Sequence, residues 1–277
     1  ISTISRLDFS NETVNDPGNN LPAARDGLAA VSSSSYGYFG GGGPGTQSTI
    51  SRLDFSNETN SLPGKNLSTA SKQFAAVSGG ASVLRGSKTY GYFAGGLGPG
   101  TTYISTISRL DFSNETVSNP GKNLPSTRQL SSATSNNFYG YFGGGSTPTY
   151  INTISRIDFS NETVSNPGKD LPSTRSCIAA TSSNSYGYFG GAYTTPTTFT
   201  NTISRLDFST ETVDQPPTRN LPTTRGDAAA TSTSSYGYFG GGYSSPPPTY
   251  YNIIDRLDFS NETVSNPGNN LPSNRQA

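Results

Sequence analysis

Charged side chains recur at fixed positions along this 277-residue chain. Twelve of the 18 acidic and 11 of the 18 basic residues stand at positions that return in most copies of an internal repeat. A catalytic group is needed once, so we interpret these repeated charges as architectural. Each Arg-x-Asp places two side chains on one face of a strand, about 7 Å apart. We expect each pair to bond internally or with the next repeat, because buried charges need partners. The charge pairs are Arg6 and Asp8, Arg52 and Asp54, Arg109 and Asp111, Arg156 and Asp158, Arg205 and Asp207, and Arg256 and Asp258. The other repeated charges are Glu12, Glu58, Glu115, Glu162, Glu211, Glu262, Arg25, Arg128, Arg175, Arg225 and Arg275.

The remaining acidic residues leave one enzymatic hypothesis open. Paired carboxylates carry out glycoside hydrolysis, and six aspartates are not uniform across the repeats: Asp16, Asp26, Asp170, Asp214, Asp227 and Asp255. Nothing in the sequence brings two of them together. The chain has no histidine, which excludes a Ser-His-Asp triad. Its one cysteine, Cys177, cannot build a structural zinc site and is interpreted as a small, half-buried filler. We predict no metal and no cofactor, with calcium on scattered oxygen ligands left open.

Glycine and asparagine motifs are interpreted as backbone signals. Clusters such as 40–43 resemble a phosphate loop only superficially, because no Gly-Lys-Ser/Thr follows and no helix opens there. They are expected to end strands. Asn-Glu-Thr is formally a glycosylation sequon, but its recurrence at one position favours a turn over a glycan. The asparagines are Asn11, Asn57, Asn114, Asn161 and Asn261.

The elements that must position these side chains repeat along the whole chain. Tyr-Gly-Tyr-Phe-Gly-Gly occurs at 36–41, 139–144, 186–191 and 236–241, and at 90–95 with Ala94 replacing the first glycine of the pair. The six Arg-Leu-Asp or Arg-Ile-Asp elements are spaced by 46, 57, 47, 49 and 51 residues. That period suits one four-stranded propeller blade. No segment carries a sustained 3.6-residue apolar period, so helix should be nearly absent.

One repeat, residues 175–225, illustrates the predicted blade. Strands are predicted at 178–182, 186–189 and 202–208, because small, aromatic and β-branched residues alternate there between polar turns. Gly190-Gly191 is expected to end the second strand. A short fourth strand begins near Val213, and the prolines that follow confine it to the sheet edge.

The order of these motifs resembles the kelch repeat. Tyr188 and Gly190-Gly191 match its aromatic residue and glycine pair, Asp207-Phe208 and Thr212 its third-strand turn, and Leu221-Pro222 with Arg225 its closing segment. The chain has no tryptophan, and Val213 and its counterparts stand near the place where that family usually carries one. The resemblance implies an all-β fold, a β-propeller of four-stranded blades. The wording of the repeats is also similar to kelch-like repeat proteins of marine bacteriophages and large aquatic viruses.

The repeat boundaries predict a single domain over 1–277, built from five complete repeats and a half repeat. The half repeat covers 1–24. The complete repeats, numbered 1 to 5, cover about 25–71, 72–128, 129–175, 176–225 and 226–277. Five blades plus an unpaired half, about six blade positions with one incomplete, and a window from a longer array all remain open. The half repeat would be completed by missing sequence or by a neighbouring chain. Because the chain contains no methionine, we expect a processed or trimmed segment.

The loops after each Gly-Gly pair differ in every repeat and should emerge on one face. Their aromatic residues are our predicted ligand-binding side chains: Tyr103, Tyr150, Tyr193, Phe199, Tyr243, Tyr250 and Tyr251. Tyrosine offers a flat apolar ring with a hydroxyl, which suits sugars and protein surfaces. The alternative is that these rings only pack against their own proline-rich loops. An insertion at 81–88, with Arg85 and Lys88, sets repeat 2 apart.

These features predict a non-enzymatic recognition or attachment module that binds a glycan or a protein. The net charge is zero, which disfavours nucleic acid, and no apolar run is long enough to insert in a membrane. The resemblance to viral repeat proteins implies an extracellular or virion-surface location, as in a phage tail fibre that attaches to a host. Its partners would be virion or fibre proteins, its own copies or a cell-surface glycan. The alternative is a purely structural capsid or fibre cement protein, and an enzyme acting on polysaccharide is the third hypothesis.

Overall fold

The computed structural model describes residues 2–79 and 88–276 of the chain. The described residues form antiparallel β-sheets, and their helical structure is a single 3-10 turn at Pro99–Thr101. The predicted all-β class is therefore confirmed. No helix in these two ranges is long and apolar enough to cross a membrane. Arg85 lies outside the described residues, whereas Lys88 is exposed.

The strands in the described ranges have the following bounds. They are β1 (Arg6–Leu7), β2 (Val14–Asn15), β3 (Ala29–Ser32), β4 (Tyr36–Gly40), β5 (Gln47–Asp54), β6 (Asn60–Ser61), β7 (Asn66–Ser71), β8 (Ala75–Gly79), β9 (Tyr90–Ala94), β10 (Ile107–Asp111), β11 (Val117–Ser118), β12 (Ser132–Ser135), β13 (Tyr139–Gly143), β14 (Ile154–Asp158), β15 (Val164–Ser165), β16 (Ala179–Ser182), β17 (Tyr186–Thr195), β18 (Thr198–Asp207), β19 (Val213–Asp214), β20 (Ala229–Ser232), β21 (Tyr236–Gly240), β22 (Tyr243–Ser244), β23 (Thr249–Tyr250), β24 (Ile254–Asp258) and β25 (Val264–Ser265).

Each complete repeat contributes one sheet in which four strands follow one another in chain order. The sheets are β3-β4-β5-β6, with β7 also paired to β5, then β8-β9-β10-β11, β12-β13-β14-β15, β16-β17-β18-β19 and β20-β21-β24-β25. The half repeat forms the two-stranded sheet β1-β2, and β22-β23 is a separate hairpin. The two-residue fourth strand lies at the sheet edge, as the prolines after it predict.

Repeat 4 shows one departure from the predicted strand ends. Its second strand does not stop at Gly190-Gly191 but continues to Thr195, and its third strand begins early, at Thr198. A register shift falls between Gly190 and Ala192, where Gly191 has a φ of +60°. Glycine there redirects the strand through a bulge instead of ending it.

The chain divides into two compact units. The first comprises Ile1–Ile4, Pro17–Phe142 and Ser155–Asn166, and the second comprises Ser5–Asp16, Gly143–Ile154 and Pro167–Ala277. Within the first unit, Tyr38 stacks on Phe112 of the next repeat, with ring centroids 5.4 Å apart. Within the second, Tyr188 stacks on Phe259 at 5.2 Å. Each unit thus builds its core by inserting the aromatic rings of one repeat against the next.

Repeated charges link neighbouring repeats in both units. Arg109 lies with its guanidinium over the ring of Tyr90 and donates from Nη1 to Oε1 of Glu162, 2.9 Å away. The hydroxyl of Tyr92 donates to the same oxygen at 3.0 Å. Arg52 with Glu115, Arg205 with Glu262 and Arg256 with Glu12 repeat this ion pair. The arginine therefore reaches the next repeat, where its partner is the glutamate.

The aspartate of each Arg-x-Asp bonds to its own turn. In all six copies its Oδ1 accepts the backbone N–H and the hydroxyl of the serine two residues later, for example Ser10 after Asp8. These serine bonds lower the pKa of Asp8 and Asp54. In the same turns Asn11 Oδ1 accepts the Thr13 N–H, the geometry expected of a turn asparagine.

Candidate functional site

Two neighbouring hairpins of the second compact unit bring four of the predicted aromatic residues together. Tyr193 and Phe199 face each other across β17 and β18, with ring centroids 4.5 Å apart. Tyr243 and Tyr250 face each other across β22 and β23 at 5.1 Å. Phe199 also contacts Tyr243 at 5.6 Å, which joins the two hairpins. We call Tyr193, Phe199, Tyr243 and Tyr250 the aromatic cluster.

The backbone next to the cluster explains why the rings can approach one another. Gly226 exchanges both backbone hydrogen bonds with Tyr243, so the second hairpin is tied to the start of repeat 5. A Cβ atom on Gly226 would lie 2.5 Å from the Tyr193 ring. Only glycine leaves room for that ring, and its place in the sequence was the one available signal for this contact.

A carboxylate lies beneath the cluster. The hydroxyl of Tyr193 donates to Asp227 Oδ2 at 2.6 Å. Burial raises the pKa of Asp227, against the opposing effect of its hydrogen bonds to Tyr193 and Cys177. Burial and the bond to Asp227 raise the pKa of Tyr193. Asp227 thus fixes the Tyr193 ring, a role that sequence reasoning did not assign to it.

Cys177 belongs to the same surroundings, which disfavour its thiolate form. It is buried, and burial together with nearby Asp227 raises the pKa of its thiol. A raised pKa keeps the sulfur protonated, whereas a reactive cysteine needs the thiolate. The structure therefore agrees with a filler role, although the side chain is more buried than the half-buried prediction.

The other predicted aromatic residues lie apart from the cluster contacts. The hydroxyls of Tyr251 and Ser244 lie 2.8 Å apart, which braces the second hairpin. Tyr150 forms an isolated antiparallel β-bridge with Ser146. Burial and the nearby Cys177 and Asp227 raise the pKa of its hydroxyl. Tyr103 pairs with Leu97 in the first compact unit. The cluster residues are all partly exposed, and Tyr250 is the most open of them, at 49%.

Four of the six aspartates that left an enzyme hypothesis open have structural side-chain partners. Asp255 is fully buried against Arg225, with Nη2 and Oδ2 2.7 Å apart. Asp214 pairs with Arg219 at 3.0 Å, and Asp227 holds Tyr193. Asp16 accepts the Ser5 hydroxyl at 2.6 Å. Within the described ranges, no group of three or more Asp, Glu, Cys or His side chains could hold a metal ion.

The aromatic cluster presents rings, hydroxyls and backbone groups at a loop surface. Such groups suit non-covalent binding. Comparison with protein-family models and with curated proteins finds no match to the chain.

Proposed function

We propose that this protein is a non-enzymatic recognition module whose aromatic cluster binds a glycan. The proposal rests on the continuous series of ring contacts from Tyr193 to Tyr250, which ends in a half-exposed tyrosine. Aromatic faces stack on the apolar faces of sugar rings, and tyrosine hydroxyls supply directional hydrogen bonds. The rings are held before any ligand arrives, which lowers the entropic cost of binding.

The module is proposed to be a kelch-like β-propeller. Support comes from the kelch-like motifs and from five sheets with four strands in chain order, one for each complete repeat. The variable loops would then be the changeable part of a repeated scaffold, as is common for binding surfaces.

The test is binding of the purified chain to a glycan array, followed by titration of the best hit. Tyr250→Ala should weaken binding by about 5- to 30-fold, which corresponds to about 1–2 kcal/mol for one contact residue. The matched control is Tyr103→Ala, which removes a loop tyrosine from the other compact unit and should leave affinity unchanged. Equal losses in both variants, or binding only to proteins, would count against a glycan site.

A virion-surface or extracellular location is part of the proposal, with virion or tail-fibre proteins and further copies of the chain as partners. It rests on the similarity to viral kelch-like repeats. Mass spectrometry of purified particles, combined with antibody labelling of intact ones, tests it. Detection inside infected cells but never on particles would argue against this location.

A further inference from the structure

The last repeat and the half repeat border an open groove within the second compact unit. Its volume is about 250 Å³. It is lined chiefly by Leu7, Ala229, Thr231, Gly240, Leu271 and Arg275. Among the described strands, β2 pairs with one edge of β1, and no described strand pairs with the opposite edge.

Comparison with a complete interface of the same unit shows what fills this position elsewhere. Between repeats 4 and 5, Thr181 of β16 lies so close to β21 that a Cβ atom on Gly237 would be 2.8 Å from its methyl group. The ring of Phe239 lies over Gly190, where a Cβ atom would be 2.8 Å away. The second strand of the following repeat therefore supplies a glycine and a phenylalanine.

The groove presents the same surface of a first strand, but no described glycine or phenylalanine of a following repeat covers it. Thr231 and Ala229 stand where Thr181 and Ala179 stand one repeat earlier, but they are exposed, whereas Thr181 and Ala179 are buried. A Cβ atom on Gly240 would meet nothing closer than Ile254 Cγ1 at 3.5 Å. The space over Gly240 thus fits the phenylalanine that its counterpart Gly190 already contacts.

The half repeat supplies the other contacts of a complete neighbour. Phe9 stacks on Tyr238 at 5.6 Å, and Glu12 accepts from Arg256 at 2.9 Å and from the Tyr238 hydroxyl at 2.9 Å. These are the contacts that Phe259 and Glu262 make with Tyr188 and Arg205. The third and fourth strands of a neighbouring sheet are therefore in place, and the first two strands are not among the described elements of that sheet.

We propose that the groove receives a β-hairpin with the sequence of the repeat's own first two strands, entering in continuation of Arg275. In repeats 4 and 5 the first strand begins four residues after Arg175 and Arg225, at Ala179 and Ala229. Arg275 and Gln276 already line the groove, so a chain that continues after them starts at its wall. The second strand of the hairpin pairs with β1, its glycine faces Thr231, and its phenylalanine covers Gly240.

The buried arginine of each closing segment provides an independent indication. Arg225 donates to the carbonyl of Phe239, on the second strand of the next repeat, at 3.2 Å and is fully buried. Arg275 stands at the same position, is only partly buried, and donates to Ser273 of its own loop. The incoming phenylalanine would offer Arg275 the carbonyl that Phe239 offers Arg225.

The experiment extends the full chain after Ala277 with a copy of residues 178–191. Hydrogen exchange of the β1 amides should slow at least tenfold, and the urea midpoint should rise. The matched control carries Gly187→Val and Phe189→Ser in the added copy. Its valine would press on Thr231 and its serine leaves Gly240 uncovered, so β1 should exchange as in the original chain. Equal protection by both extensions, or by neither, overturns the proposal.

Two further measurements identify the source of the hairpin. In the first, a separate peptide with the sequence 176–191, carrying Cys177→Ala, is titrated against the chain. In the second, light scattering measures the oligomeric state of the original chain. If the covalent extension protects β1 and lowers the affinity for the peptide, entry after Arg275 is supported. If the peptide binds but the extension does not protect β1, or if copies of the original chain associate and protect β1 themselves, the hairpin comes from another molecule and the proposed continuation is wrong.

Discussion

Gly190 and Gly240 occupy the same strand position in consecutive repeats, and only their neighbours differ. A Cβ atom on Gly190 would lie 2.8 Å from Phe239 Cε1 and 3.1 Å from Ile203 Cγ1. On Gly240 the nearest atoms would be Ile254 Cγ1 at 3.5 Å and Leu271 Cδ1 at 3.8 Å. Neither glycine has a positive φ. Replacement of each by alanine therefore compares one chemical change in a filled and an unfilled interface.

The two variants should change stability in opposite directions. Alanine restricts the unfolded chain and favours a strand over glycine by about 0.5–1 kcal/mol. At Gly240 that gain should appear almost whole, because the new methyl group makes ordinary contacts. At Gly190 the Phe239 ring must move, and overpacking of this kind costs about 1–3 kcal/mol. We expect Gly240→Ala to stabilise the chain by about 0.5 kcal/mol and Gly190→Ala to destabilise it by about 1 kcal/mol.

Urea titration followed by circular dichroism measures both changes. The slope of the free energy against urea must stay constant for the midpoints to be compared. Gly143→Ala is the positive control, since its Cβ atom would lie 2.7 Å from Phe189, and it should lose stability as Gly190→Ala does. If Gly240→Ala loses as much stability as Gly190→Ala, then the position over Gly240 is already filled and the reasoning about the groove fails.

Three further substitutions test the contacts that hold the repeats. Glu162→Ala removes the acceptor of the buried Tyr92 hydroxyl and should lower the free energy of unfolding by about 2 kcal/mol in a urea titration. Adding Tyr92→Phe should recover part of that loss. If the two changes are fully additive, the bond is refuted. Asp255→Leu leaves Arg225 buried without its carboxylate and should lower the free energy of unfolding by about 3–5 kcal/mol. Asp255→Ser installs the residue of the other four complete repeats and should cost much less. Equal costs would show that the ion pair contributes nothing. Because the folded-state pKa of Asp227 is raised, the stability that this group adds is present below its unfolded pKa of about 3.9 and is lost as pH rises through the folded value. Asp227→Asn should therefore gain stability relative to the original chain as pH increases from 3 to 7, and a constant difference would contradict the raised pKa.

The strand pattern of a repeat could be predicted from sequence because it depends on local signals. Aromatic and small residues alternate, prolines mark the edge, and charged turns recur, so the strand order of each complete sheet followed. The extension of β17 to Thr195 could not be predicted. A glycine pair can end a strand or bend it, and the choice depends on whether the residues beyond it find partners, as Tyr193 does in Phe199.

The partner of the repeated arginine illustrates a second limit. Residues two apart share a strand face, so Arg109 and Asp111 were expected to pair within one strand or across repeats. Asp111 instead accepts two hydrogen bonds from Ser113, which cost little chain entropy because the residues are close in sequence. The acceptor that Arg109 meets belongs to Glu162, 53 residues later. Sequence spacing identifies a face, but not which of several acceptors on neighbouring repeats lies within reach.

The aromatic cluster shows why the site itself was only partly predictable. Variable loops rich in tyrosine indicated seven candidate residues, and four of them meet in the second compact unit. Their meeting depends on Gly226, whose missing side chain is a weak signal in the sequence, and on Asp227, which holds the Tyr193 hydroxyl. Such contacts arise when two irregular hairpins pack together, and no periodic pattern encodes that packing.

The six repeated glutamates connect these observations to function. All have φ between 56° and 58°, a left-handed conformation that costs a non-glycine residue about 1–2 kcal/mol. Glycine would adopt it without strain, but only a long carboxylate side chain reaches the tyrosine and arginine of the preceding repeat, as Glu162 reaches Tyr92 and Arg109. The strain is therefore tolerated because the acid joins one repeat to the next. Because these charges hold neighbouring repeats together, we expect differences in function to come from the segments that vary. In the second compact unit, those segments carry the aromatic cluster.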